Sequence, residues 1–76
     1  MIKSFVATID CPMDTLLRVT SLLRRKSFEM KGVEMQVVES EKAKLFISID
    51  EYGKNNIDQA ILHLRKLEDI YEIEKL

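Results

Sequence analysis

A single α+β domain, four antiparallel strands with two helices on one face, is the fold this 76-residue sequence predicts. Three observations predict it. Segments of alternating and of helical apolar spacing follow one another in the order strand, helix, strand, strand, helix, strand. The two middle strands are joined by a short polar turn, while the other strand pairs are linked through helices. The composition, 46% apolar and 33% charged, is that of a globular chain, and its length suits one domain over residues 1–76.

The first strand is read from Ile2 to Ile9, where Phe5, Ala7 and Ile9 alternate with Ser4, Val6 and Thr8. Pro12 ends that ladder and suits the opening of a helix, with Asp10 or Asp14 as its N-terminal cap. From Thr15 to Lys26, Leu16, Val19, Leu22 and Leu23 recur at helical spacing, and Arg24, Arg25 and Lys26 complement the negative end of the helix dipole. Phe28 to Glu39 reads as a long strand in which Phe28 and Met30 share one parity and Val33, Met35 and Val37 the other. The change of parity at Gly32 predicts a β-bulge. A polar turn, Glu39 to Lys42, leads into a third strand, Ala43 to Asp50, with Leu45, Ile47 and Ile49 on its buried face.

After the loop Glu51 to Asn55, Asn56 and Gln59 have capping-box spacing. Ile57, Ala60, Ile61, Leu64 and Leu67 then form a narrow apolar stripe closed by Asp69. Ile70 to Leu76 is the last strand, with Tyr71 and Ile73 alternating against Glu72 and Glu74. Two right-handed crossovers interleaved through the central hairpin give the ferredoxin-like βαββαβ arrangement. In that topology the second strand is an edge. A long edge bearing Val33, Met35 and Val37 predicts pairing with a second copy, a homodimer through residues 28–39.

Several function classes lose support on composition. A formal net charge of −1 provides no global positive field for a nucleic acid. One cysteine, Cys11, allows neither an internal disulfide nor a multi-cysteine metal cage, and a reducing cytoplasm fits it best. The apolar runs fall short of the ~20 residues that a membrane-crossing helix needs. No nucleophile–base pair, metal cluster or phosphate-binding glycine loop is present, so the sequence predicts no enzyme, no metal and no cofactor. Cys11 reads as a small, partly buried residue, His63 as a solvated position on the second helix, and Met30 and Met35 as either edge contacts or core.

Where the first strand feeds the first helix, backbone N–H groups point outward and suit an anionic group such as a carboxylate. The candidate effector site is therefore Asp10, Cys11, Pro12, Met13, Asp14, Thr15 and Leu16 of one chain. Phe28, Glu29 and Met30 of a neighbouring copy would complete it.

Pro12 through Phe28, Leu-Arg-Val at 17–19, Leu-Leu-Arg-Arg at 22–25 and Leu-Arg-Lys-Leu-Glu-Asp-Ile-Tyr-Glu-Ile at 64–73 resemble an ACT domain over nearly the whole chain. The nearest likeness is to the short, single-domain small subunit of acetolactate synthase. The resemblance implies a noncatalytic regulatory subunit that binds and activates a thiamine-diphosphate-dependent catalytic subunit in branched-chain amino acid synthesis. In longer members it also implies feedback by valine at the turn after the first strand. Two departures argue for weak or absent feedback: Met13 stands where glycine usually follows the proline, and Ser27-Phe28-Glu29 stands where Gly-Phe-Asn would be. A methionine side chain narrows the approach to the backbone, and Glu29 repels a ligand carboxylate unless a cation intervenes. Two other readings are a free-standing homodimeric sensor of a small amino acid and an RNA binder of the same topology. The RNA reading lacks aromatics, because Leu45 to Ile49 offers only Phe46.

Overall fold

The alternation of the first strand is realised over nine residues, Ile2–Asp10 (β1), with Phe5, Ala7 and Ile9 buried. In the computed structural model, which describes all 76 residues, the other elements are α1 (Pro12–Arg25), β2 (Glu29–Glu39), β3 (Lys42–Asp50), α2 (Ile57–Leu64) and β4 (Ile70–Lys75). The strands form one antiparallel sheet in the order β2-β3-β1-β4. This is the ferredoxin-like fold, with β2 at an edge.

The core lies between the sheet and the helices. Phe5, Ala7 and Ile9 of β1 and Ala43, Leu45, Ile47 and Ile49 of β3 meet Val19 and Leu23 of α1 and Ile57, Ala60, Ile61 and Leu64 of α2. The other face of the sheet is not covered. Its centre is Val6 paired with Phe46, beside Ser4 and Ser48, whose hydroxyls lie 2.7 Å apart.

Parity in β2 behaves as the glycine predicts. Met30 pairs with Ile49 and Gly32 with Ser48, so Lys31 is the extra residue of a bulge. Met30, Val33 and Met35 therefore share the helix-side face, and both methionines pack against the core. A second irregularity at Val38 ends the regular stretch.

α1 begins three residues earlier than its apolar stripe suggests, because Pro12 is itself the first helical residue. Neither Asp10 nor Asp14 caps it. The cap position is Cys11, in the left-handed region at φ 48°, with no side-chain cap bond. At its other end, Ser27 N–H donates to Arg24 O at 3.0 Å and Phe28 N–H to Leu23 O at 2.9 Å, the paired bonds of a Schellman ending. That ending needs a left-handed residue, and Ser27, at φ 66°, takes the place usually held by glycine. Phe28 thus belongs to the helix ending, not to the strand.

α2 stops at Leu64, earlier than its stripe, and Leu67 packs on the core from the following turn. Asn56 Oδ1 accepts Gln59 N–H at 2.9 Å, the cap that the sequence predicts. In β4 the alternation fails at Tyr71. Thr8 pairs with Glu72 but Ile9 with Ile70, so Tyr71 is a bulge residue, and Ile70 rather than Tyr71 shares the core side with Ile73.

Candidate functional site

The β1–α1 turn is held from both sides by backbone. Cys11 N–H donates to Glu41 O of the β2–β3 hairpin at 3.1 Å, and Asp10 N–H to Asp69 O of the α2–β4 connection at 2.9 Å. Thr15, 1% exposed, locks the turn from within. Its Oγ1 donates to Asp10 O at 2.5 Å, and its N–H donates to Cys11 O at 2.9 Å. Pro12 has no N–H, and no side chain of the chain accepts from Met13 or Asp14. Those two amides are the donors this helix start offers a ligand.

Around them the charge is mostly negative. Asp10, Asp14, Glu41 and Asp69 surround Cys11, and Arg18 offsets one of them through a 2.8 Å bond to Asp69. Asp10 Oδ2 accepts the Tyr71 hydroxyl, while Asp10 Oδ1 is buried without a partner. The Lys42 ammonium lies 5.4 Å from the centre of the Tyr71 ring. Hydrogen bonding to Asp10, then desolvation and the nearby carboxylates, raise the Tyr71 pKa, which keeps the phenol a donor. The sequence missed this group, because the bulge that turns Tyr71 towards Asp10 has no glycine to mark it.

Cys11 is exposed rather than partly buried. Desolvation by the atoms packed about it, followed by Asp69, Glu41, Asp10 and Asp14, raises its pKa, which keeps it a thiol. Its alkylation by iodoacetamide should therefore be slow for an exposed cysteine, with a pH–rate inflection above that of a free cysteine peptide. An inflection at or below the peptide's would show that the carboxylates do not govern it.

The structure brings together Asp10, Cys11, Pro12, Met13, Asp14, Thr15 and Leu16, with Met13 62% exposed at the rim. It does not bring Phe28, Glu29 and Met30 to them within one chain. Glu29 pairs with Asp50 at the end of the sheet remote from the row of Asp10, Lys42 and Glu39, ~25 Å along the strands. Phe28 is buried in the core. Glu29 has its own cation in Lys31, 2.8 Å away, and that bond raises the lysine pKa. The repulsion predicted for Glu29 is thereby offset. No group of three His, Cys, Asp or Glu side chains could hold a metal ion, and no helix is long and apolar enough to cross a membrane.

His63 is not a freely solvated residue. Its ring is partly buried edge-on against Phe28, with centroids 6.1 Å apart.

The backbone superposes on known structures of low identity. The crystal structure of the ACT domain from GTP pyrophosphokinase of Chlorobium tepidum matches with a TM-score of 0.82 at 9% identity, covering 100% of this chain and 97% of that one. The C-terminal domain of the MgtC protein from Mycobacterium tuberculosis matches at 0.72 and 5% identity, covering 99% and 84%. A homoserine dehydrogenase from Thiobacillus denitrificans matches at 0.69 and 12% identity, where the chain covers 17% of that enzyme. No curated protein matches in sequence. At these identities the superpositions show the fold alone. The family model for the ACT domain matches residues 12–73, from the proline that opens α1 to the partly buried Ile73 of β4, and the chain belongs to the ACT domain family.

Proposed function

We propose that this ACT domain, a regulatory small-molecule-binding module rather than a catalyst, acts as the noncatalytic small subunit of acetolactate synthase. In this reading it pairs with itself through β2, binds the thiamine-diphosphate-dependent catalytic subunit in the cytoplasm and raises its activity. One observation carries the regulatory part: an uncapped helix start with two free amides stands at one end of a sheet whose long β2 edge is unpaired. The choice of partner rests on the likeness of residues 64–73 to the closing motif of that small-subunit family.

The helix layer offers a surface for such a partner. Leu17, Leu22 and Leu67 line a groove of about 420 Å³ with Ser21, Arg18 and Arg25, and no residue of β2 lines it. A partner with an apolar ridge flanked by carboxylates fits it, and docking there leaves β2 free for the second copy. By linkage, the subunit can activate only to the extent that it binds the active state more tightly than the inactive one.

A second reading, the free-standing sensor of a small amino acid, is favoured by Asp10. Its buried, unpartnered Oδ1 and the neighbouring carboxylates suit an ammonium group, as the amides of Met13 and Asp14 suit a carboxylate. Against a strong valine response stands the Met13 side chain at the rim. RNA binding is disfavoured because Glu34, Glu72 and Glu74 flank Phe46, Lys44 and Thr8 on the open face.

The test is isothermal titration of the protein into an acetolactate synthase catalytic subunit, with turnover followed in parallel and valine present or absent. Binding with a rise in turnover and little change on adding valine is expected. Absence of a complex, together with heat on adding an amino acid to the protein alone, would replace this reading with the sensor.

A further inference from the structure

We propose that the cleft at the opposite end of the domain from the β1–α1 turn is a second ligand site, for a small phosphate ester. Lys26 at the end of α1, Lys54 and Asn55 of the β3–α2 loop, and Asn56, Gln59 and His63 at α2 line a cavity of about 380 Å³ over the edge of Phe28. This volume lies within the range of small-molecule sites.

The charge arrangement is what points to an anion. No aspartate or glutamate lines the cleft, although the chain as a whole carries a net charge of −1. Among the lysines without a carboxylate partner, Lys26 and Lys54 are the two that line one cavity together, whereas Lys3 shares its pocket with Glu51 and Asp58. Two ammonium groups on separate elements facing one space repel each other, and an anion between them relieves that repulsion. A phosphate monoester, with close to two charges and three acceptor oxygens, matches two lysines and additional donors better than a single carboxylate does.

The walls are already in place. The loop turns at Gly53, φ 57°, and closes through Asn55 N–H donating to Tyr52 O at 3.0 Å. Asn55 Nδ2 donates to Ser27 O at 2.8 Å, which pins the loop to the end of α1 and brings the chain at Lys54 close to the chain at Lys26. Asn56 uses its Oδ1 as the helix cap, so its amide NH₂ is left to donate. The backbone N–H of Ile57 already donates to Glu51 Oε2 at 2.8 Å, so side chains rather than the helix start hold the ligand.

Glycerol 3-phosphate titrated into isotope-labelled protein tests the site by NMR. The expected result is saturable shifts confined to the amides of residues 54–59 and the His63 ring. Lys26→Ala and Lys54→Ala should each weaken binding about tenfold, as expected for loss of a charged hydrogen bond, and Lys44→Ala on the open face should leave it unchanged. Both cleft lysines are exposed and unpaired, and spectra unchanged elsewhere would confirm that the variants are folded. Shifts spread over all lysines without saturation would overturn the site, as would binding that survives the double variant. Shifts centred on Met13 and Asp14 would place the anion at the other end and overturn it equally.

Discussion

Phe5→Ala should bring the domain close to unfolding at room temperature. Phe5 is 0% exposed at the centre of β1, opposite Ile47, within a cluster of 14 buried residues that forms the core. Truncating a buried phenylalanine costs about 3–5 kcal/mol, from lost transfer energy plus the cavity left behind. A domain of this length has roughly 4–11 kcal/mol in total, and at ~4–8 °C per kcal/mol the melting temperature should fall by about 12–40 °C. Leu17→Ala, on the exposed side of α1, should change stability by no more than about 0.5 kcal/mol. Denaturant unfolding of the three proteins at one fixed concentration checks this, since self-association would otherwise shift the midpoints. A loss below about 1 kcal/mol at Phe5 would mean that the core is not packed as described.

The fold was legible because burial in this chain follows local periodicity. Ala43, Leu45, Ile47 and Ile49 alternate cleanly and all four are buried. The apolar stripe of α2 maps onto Ile57, Ala60, Ile61 and Leu64 in the same way. Even the bulge in β2 left a trace, since one extra residue, Lys31 beside Gly32, shifts the apolar positions from even numbers (Phe28, Met30) to odd ones (Val33, Met35, Val37). Misreadings came where geometry depends on residues far apart in sequence. The bulge at Tyr71 is set by its pairing with β1, and Cys11 rather than an aspartate holds the cap position because the hairpin and Asp69 have already fixed the backbone on both sides. Local capping preference could not anticipate either.

The same distinction applies to the candidate sites. Asp10 to Leu16 is contiguous, so a proline after a strand announces it. The cleft at the other end is assembled from residues 26, 54–56, 59 and 63. No spacing rule links those positions, and His63 read alone is an ordinary helix-surface residue. Only the Schellman ending, which turns the chain at Ser27, and the loop pinned to Ser27 O bring them together.

The second large effect is expected at the β2 edge. Between the irregularities at Lys31 and Val38, β2 runs regularly from Gly32 to Val37 with no partner on its outer side. Val33 is 45% and Val37 61% exposed there. The other edge, β4, is only six residues long and carries Glu72, Glu74 and Lys75, the charged composition that discourages pairing. Two copies should therefore join antiparallel through β2 about a twofold axis, in which each residue counts twice. Burying the open half of four valines is worth about 1 kcal/mol each, so replacing Val33 and Val37 by lysine should weaken the dimer by at least about a thousandfold. Sedimentation should show a dimer for the parent protein, a monomer for the double variant and a dimer for a Leu17→Lys control on the helix layer. The variant should stay folded, since neither valine is buried in the single chain. The antiparallel pairing also has a consequence for the effector. It places Phe28, Glu29 and Met30 of one copy beside the Glu39 end of the other, the end at which Asp10 and the turn lie, so an amino acid bound at that turn should be lost with the dimer. A parent protein that remains monomeric at high concentration would remove both the interface and the composite site.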